Sequence, residues 1–231
     1  MTHVNAIRML QELIGTRDTV GTWNSTTMYR FLNMASRSVW NDIVWMAKGR
    51  FATDAYVTYT ANAVSQAIFS GTNAAKASRI VQCLEGYAMQ TAGAQSQTNE
   101  PVPMLPKSPE EIEQYQFGRL ILSGETYYTV VAGNLIVRPI PSATSYFLLK
   151  MILSPTELDA TTPASTELLD GLCPQAHDLI CLKAAYLASL KTREVATEFQ
   201  AEVQNEWMRI TPFIQAVGHY PLGVRQVTAD V

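Results

Sequence analysis

Three residues whose side chains bind metals or act as nucleophiles stand close together in the C-terminal third of the sequence. Cys173, His177 and Cys181 follow an i, i+4, i+8 pattern, which places them on one face of a predicted helix. Two thiolates and an imidazole could bind zinc, but a fourth ligand must come from elsewhere in the chain. The two cysteines would also lie about 12 Å apart along a straight helix axis. We therefore expect two buried thiols, a capping or surface histidine, and neither a metal nor a cofactor.

The same residues contain a possible nucleophile and base, in Cys173 and His177. A thiol hydrolase needs its base brought in from a distant segment and oriented by a third group. The other two histidines, His3 and His219, lie near the ends of the chain, and no hydrolase motif surrounds any cysteine. We expect no catalytic residues and no enzyme, and a Cys/His metal-binding or hydrolytic domain is the most distant alternative.

A row of four glutamates is the most regular charge pattern in the sequence. Glu194, Glu198, Glu202 and Glu206 recur at i+4 spacing on a predicted helix, although like charges at this spacing mildly destabilise a helix. They do not converge from two elements, as a catalytic carboxylate pair does. One interpretation is an ordinary solvated face. The other is an anionic wall along a channel, which would keep DNA from sticking as it passes.

Composition bounds the kind of partner that the chain can have. Of its 231 residues 47% are hydrophobic, but only 16% are charged, against the usual quarter. A weakly charged surface indicates that partner subunits bury part of it. A monomer with a neutral surface is the alternative, because it would have the same composition. The net charge of −3 argues against a DNA clamp. No apolar stretch is long enough to span a bilayer and no signal peptide is evident, so we expect no membrane partner.

The second predicted helix has two apolar stripes. It begins at Asn24 or Ser25 and ends near Gly49. One stripe is continuous, and the flanking stripe carries large side chains. A helix that is apolar on more than one face is buried on more than one side. It is either a deep core helix or a helix that meets a neighbouring subunit, with these interface candidates: Tyr29, Trp40 and Val44.

The middle of the chain is rich in strand patterns. Period-two alternation predicts a strand at 53–61, and a hairpin is predicted to turn at Ala132, Gly133 and Asn134. Ser108 and Glu111 predict a capping box that opens a short helix at 109–117. The layout is α+β, with a helical domain at 1–50 and 166–210 and a β-rich insertion at 51–165, forming a small sheet or barrel.

Beyond Pro212 the glycines and prolines predict an extended C-terminal tail, assigned to 211–231. Apolar side chains recur along it, and such a segment suits docking into a groove of another protein. The candidate docking residues are Phe213, Ile214, Val217, Tyr220, Leu222 and Val224.

In the order and spacing of several segments, this chain resembles the head-to-tail adaptor (neck) proteins of short-tailed bacteriophages. The first two features are Leu32-Asn33-Met34-Ala35 with Val39-Trp40-Asn41-Asp42-Ile43, and Ser78-Arg79-Ile80-Val81 with Ser108-Pro109-Glu110-Glu111. The third is Leu135-Ile136-Val137-Arg138-Pro139-Ile140-Pro141 leading into Tyr146-Phe147-Leu148-Leu149-Lys150-Met151. The fourth is the Ala-rich helix at 179–190, followed by Glu194-Val195-Ala196-Thr197-Glu198-Phe199 and Trp207.

The resemblance implies a structural virion protein, made in the host cytoplasm and located in the neck. Such adaptors form a ring, usually a dodecamer, between the portal and the tail or nozzle protein. The helical part builds the ring, the β part projects, and the tail reaches into the portal. DNA passes through the bore without specific binding, which would make the glutamate row channel-facing. A nozzle or tail-completion protein is the alternative.

Overall fold

The computed structural model describes residues 1–15, 24–92, 100–115, 124–192 and 196–218. The fold is α+β, as predicted. The chain divides into a helical unit, Met1–Phe51 with Pro155–Val231, and a β unit, Ala52–Ser154. The β unit is therefore inserted between the two halves of the helical unit. Its boundary differs from the prediction, because residues 155–165 belong to the helical unit.

Four α-helices build the helical unit in the described residues, and a fifth lies in the β unit. In the helical unit α4 packs against α1, α2 and α5. The side chain of Asn24 caps α2 by accepting from the Thr27 N–H at 2.9 Å. The helices are α1 (His3–Leu13), α2 (Ser25–Met46), α3 (Pro109–Gln114), α4 (His177–Thr192) and α5 (Ala196–Gly218).

The segment that follows the β unit is pinned to α2 by one amide side chain. Asn33 donates from Nδ2 to the carbonyl oxygen of Leu158 at 2.8 Å, and its Oδ1 accepts from the Leu158 N–H at 2.9 Å. One side chain therefore satisfies both backbone groups of a connector residue, much as a neighbouring strand would. Sequence reasoning missed this role, because nothing in the local pattern links two residues so far apart in the chain.

The β unit contains two four-stranded sheets, with strand orders β1-β8-β3-β4 and β2-β7-β6-β5. Neighbouring strands are antiparallel except for the parallel pair β5 and β6. In the described residues neither sheet closes into a barrel, which leaves the small-sheet form of the prediction. The strands are β1 (Thr53–Tyr59), β2 (Gln66–Ala67), β3 (Ile80–Met89), β4 (Val102–Pro103), β5 (Leu105–Pro106), β6 (Tyr127–Val131), β7 (Asn134–Arg138) and β8 (Ser145–Leu153).

Three local predictions in the β unit are confirmed. Strand β1 alternates buried Ala55, Val57 and Tyr59 with exposed residues. The predicted hairpin forms between β6 and β7 with its turn at Ala132 and Gly133, while Asn134, predicted in the turn, begins β7 and pairs with Val131. The capping box forms at α3, whose Glu111 N–H donates to Ser108 Oγ at 3.2 Å, while the Ser108 N–H donates to Glu111 Oε2 at 3.1 Å. Helix α3 ends at Gln114, and residues 116–117 of the predicted helix lie outside the described residues.

Glycine at position 86 allows β3 to lie against the core of the β unit. A Cβ atom built there would be 2.9 Å from both the Tyr128 ring and Met104 Cε. Real Cβ atoms essentially never approach other atoms that closely. The absence of a side chain at Gly86 therefore sets how near Tyr128 lies to β3.

Helix α5 is longer than predicted, because it continues through Pro212 to Gly218. The predicted extended chain is wrong for residues 211–218, and residues 219–231 lie outside the described residues. Proline removes one helical hydrogen bond and tends to kink or break a helix interior. Here Ile210 and Ile214, one turn apart on either side of the proline, are 0% and 2% exposed. Their burial favours continuation of the helix across Pro212.

Candidate functional site

The two cysteines and the histidine near the start of α4 are core residues. His177 is 3% exposed, so the expected surface position is wrong. Its Nδ1 lies 2.6 Å from the amine of Met1, and its Nε2 lies 3.0 Å from the carbonyl oxygen of Leu168. Burial raises the pKa of Cys173, and that of Cys181 to about 12. Among the described residues no group of three His, Cys, Asp or Glu side chains is placed to hold a metal ion.

Protonation of His177 is expected to destabilise the fold. Burial is the main cause that lowers its pKa, and the Met1 amine adds to this. The hydrogen bond to the Leu168 carbonyl oxygen opposes the shift, as do the charges of Glu167 and Asp178. A depressed histidine pKa means that the unfolded chain binds the proton more readily. The contribution of His177 is thus complete above the unfolded pKa of about 6.5 and is lost as the pH falls below it.

We therefore expect the free energy of unfolding of the wild type, measured by urea denaturation, to fall more steeply between pH 7 and pH 5 than that of His177→Gln. The comparison uses the slope with pH, so a uniform loss of stability in the variant does not affect it. Equal slopes would contradict the assignment of this titration to His177.

The glutamate row is only partly available for a channel wall. Glu198 and Glu202 are exposed on α5. Arg209 donates from Nε to Glu206 Oε2 at 2.8 Å, and this ion pair compensates the charge of Glu206. Glu194 lies outside the described residues. Two exposed and uncompensated charges per chain therefore remain in the described part of the row.

Two of the three interface candidates on α2 are buried within the chain itself. Trp40 is 2% exposed and Val44 is 8% exposed. The Trp40 ring meets the Phe51 ring edge-on, with centroids 5.3 Å apart. The assignment of Trp40 and Val44 to a subunit interface is wrong, because both are buried within the chain, and Phe51 of the 3₁₀ helix Lys48–Phe51 covers Trp40. Tyr29 is half-buried, with its ring 5.8 Å from that of His3.

Other large apolar side chains of the helical unit are exposed. Trp45, directly after the buried stripe of α2, is 80% exposed. Of the tail candidates, Phe213 is 57% exposed and Ile214 is buried. Arg50 Nη1 donates to the carbonyl oxygen of Phe213 at 3.4 Å, which ties this part of α5 to the turn after α2. Sequence reasoning named Phe213 but missed the others: Trp45, Met208, Leu190, Met34 and Leu172.

The exposed charge and one exposed apolar residue share a face of α5. Glu202 and Phe213 are eleven residues apart, which is close to three full turns and returns to the same side of a regular helix. Glu198 lies one turn before Glu202. This face therefore carries carboxylates toward its N-terminal end and a phenyl ring toward its C-terminal end.

The β unit contains a groove of about 770 Å³ between β3 and β6. Cys83 Sγ lies 3.9 Å from the Tyr128 hydroxyl in its wall. Burial raises the pKa of Cys83, which leaves the thiol protonated and a poor nucleophile at neutral pH. The groove therefore suits binding rather than covalent chemistry. Representative lining residues are Ala77, Val81, Cys83, Lys107, Tyr128 and Val130.

No protein-family model matches this chain, and a comparison with curated proteins finds no match. Among the described helices, none combines the length and the hydropathy needed to cross a membrane.

Proposed function

We propose that this chain is a structural subunit that assembles into a ring, acting as a head-to-tail adaptor between a bacteriophage portal and its tail or nozzle. The observation that carries the proposal is the set of large exposed apolar side chains on the helical unit, led by Trp45 at 80% exposure. Exposed large apolar groups mark surfaces that partner proteins cover, particularly on a chain with few charges.

The exposed face of α5 supports a role beside passing DNA. Its carboxylates at Glu198 and Glu202 would repel phosphates if the face lined a bore. The formal net charge of −3 per chain has the same sign, and it adds up in a ring of identical subunits. The partners of the proposal are other copies of this chain, in a dodecamer, together with the portal and the tail protein.

The docking role of the C-terminal tail needs one revision. Ile214 is 2% exposed and belongs to the core of the helical unit, so it is withdrawn from the portal-binding set. Phe213 stays in the set because it is exposed. Val217 falls on the last turn of α5, while Tyr220, Leu222 and Val224 lie outside the described residues. These four stay in the proposal on their sequence alone.

A truncation that ends the chain at Gly218 tests the proposal. It preserves Ile210 and Ile214, so we expect its circular dichroism and urea midpoint to match those of the full chain. Native mass spectrometry with purified portal should show the full chain adding as a fixed multiple per portal ring, and the truncated chain not adding.

Failure of the full chain to bind portal would overturn the adaptor role. Binding to the tail protein alone would instead assign the chain to the nozzle or tail-completion class. Undiminished portal binding by the truncated chain would contradict only the portal-binding role of Tyr220, Leu222 and Val224.

A further inference from the structure

The groove of the β unit lies between two strand edges. Strand β3 pairs with β8 along one side, but on its other side with β4 only at Tyr87 and Ala88. Strand β6 pairs with β7 along one side, but on its other side with β5 only at Tyr127 and Tyr128. In the part of the chain that the structure describes, no further strand pairs with 80–85 or 129–131 on these sides. Both stretches contribute residues to the groove wall.

The backbone of β6 is oriented to pair with another strand. The carbonyl oxygen of Tyr128 accepts from the Lys107 N–H at 2.9 Å, on the side away from β7. Backbone groups two residues apart in a strand point to the same side. The N–H and C=O of Val130 therefore face the groove beyond the end of β5.

The walls of the groove fix what can enter it. Ala74 and Ala77 bring small side chains from the 3₁₀ helix Gly71–Arg79. A Cβ on Gly133 would lie 2.7 Å from Ala77 Cβ, so the hairpin tip rests on this helix and bounds the groove. Small side chains along one wall, larger ones such as Tyr128 and Val81 along the rest, and a backbone edge on either side suit an extended peptide with small apolar side chains. An edge of this kind is a known site of strand addition between proteins.

The chain itself contains a segment of that description. Thirteen residues follow Gly218, and at about 3.3 Å per residue they reach roughly 43 Å when extended. The last seven alternate as a half-buried strand does. One set is Arg225, Val227, Ala229 and Val231, and the other is Gln226, Thr228 and Asp230.

We propose that residues 225–231 of a second copy of this chain insert between β3 and β6 and join the two sheets. Val227, Ala229 and Val231 would face the groove, and the polar set would face solvent. The inference rests on the proposed self-assembly, and it identifies a strand exchange between neighbours as one of its contacts. Residues 213–224 keep their proposed role toward the portal.

Cys83 in the groove wall provides a probe on the full chain. Its thiol reacts slowly because its pKa is raised, but this low reactivity is the same for any two reagents compared at one pH. A synthetic peptide of residues 223–231 carrying Val227→Cys, activated as its thiopyridyl disulfide, should exchange with Cys83 and release thiopyridone. The matched control carries Thr228→Cys, which points the thiol to the other face of the strand. We expect the first peptide to react at least about tenfold faster, with the adduct mapped to Cys83 by mass spectrometry.

An edge proline tests the backbone part of the proposal. Val130→Pro removes the N–H that faces the groove. It leaves the β6–β7 hydrogen bonds in place, because the N–H of Val130, like the carbonyl oxygen of Tyr128, points away from β7. We expect this variant to lose the fast reaction while keeping the far-ultraviolet circular dichroism of the wild type. Equal rates for the two peptides, or an unchanged rate in Val130→Pro, would overturn the proposal.

Mixing two full-length variants separates a second copy from the chain's own tail. Cys83→Ser with Val227→Cys provides only the donor, and the wild type provides only the acceptor. The introduced thiol of the donor is first activated as its thiopyridyl disulfide. We expect exchange with Cys83 of the wild type to release thiopyridone and to give a disulfide-linked dimer in the mixture and in neither protein alone. If Cys83 does not react with the peptide but cross-links to a strand of the tail protein, the groove binds the tail protein and not a second copy of this chain. Portal binding without any cross-link would overturn this inference and leave the adaptor proposal standing.

Discussion

Trp40→Ala is expected to lower the free energy of unfolding by about 3–5 kcal/mol, the usual cost of removing a large buried ring. Trp40 is 2% exposed and meets Phe51 edge-on. The cavity left by the indole would lie where the 3₁₀ helix Lys48–Phe51 covers α2. Urea denaturation followed by circular dichroism at the helix band measures the loss.

Trp45 on the same helix is the matched control. It is 80% exposed, and Trp45→Ala should change the free energy of unfolding by no more than about 0.5 kcal/mol. On the proposed function the same substitution should weaken assembly, because an aromatic side chain that partners cover contributes much of the binding energy. A Trp40→Ala protein as stable as the wild type would contradict the buried position. A Trp45→Ala protein that assembles normally would remove Trp45 from the interface.

On the proposed function, reversing the exposed carboxylates of α5 is expected to make a ring of this chain retain DNA. Glu198→Lys with Glu202→Lys removes two negative charges and adds two positive charges, which shifts the formal net charge of −3 by +4 to +1. If this face lines the bore, lysines from every subunit would converge on the duplex and displace its counterions. Filter binding should detect retention of double-stranded DNA at about 50 mM salt that falls steeply by about 200 mM. The wild-type ring should retain little.

The control moves the same charge to the β unit. Glu100→Lys with Glu113→Lys reverses two exposed carboxylates of the β unit instead of two of α5. If this control retains DNA as well as the α5 variant does, net charge explains the effect and the channel-facing assignment is wrong. Retention confined to the α5 variant would support that assignment.

Local patterns predicted the elements whose cause is local. The capping box at Ser108 and Glu111, the alternation of β1 and the turn at Ala132 and Gly133 each depend on residues a few positions apart. Propensity and spacing determine such features before any tertiary contact forms. For this reason the α+β layout was predictable from the sequence.

The errors concern tertiary contacts. The second stripe of α2 predicted burial correctly, but periodicity does not say whether a helix face meets its own chain or another. Trp40 was assigned to an interface because the spacing of apolar residues in α2 does not show that Phe51, later in the chain, packs against it. The proline at 212 predicted an end to α5, and the burial of Ile214 outweighed it. The bridge from Asn33 to Leu158 is likewise visible only in three dimensions.

Because the β unit is inserted between them, α2 is synthesised on the ribosome well before its packing partner α4. Helix α2 packs mainly against α4, yet roughly 130 residues separate the end of α2 from the start of α4. At about 5–20 residues per second, translation leaves the apolar face of α2 without that partner for roughly 7–26 s. The β unit emerges complete in the interval and has the contacts to fold first. A chaperone would therefore be needed while α2 has been synthesised and α4 has not. Slowing elongation within residues 52–154 would lengthen the time during which the apolar face of α2 stays exposed.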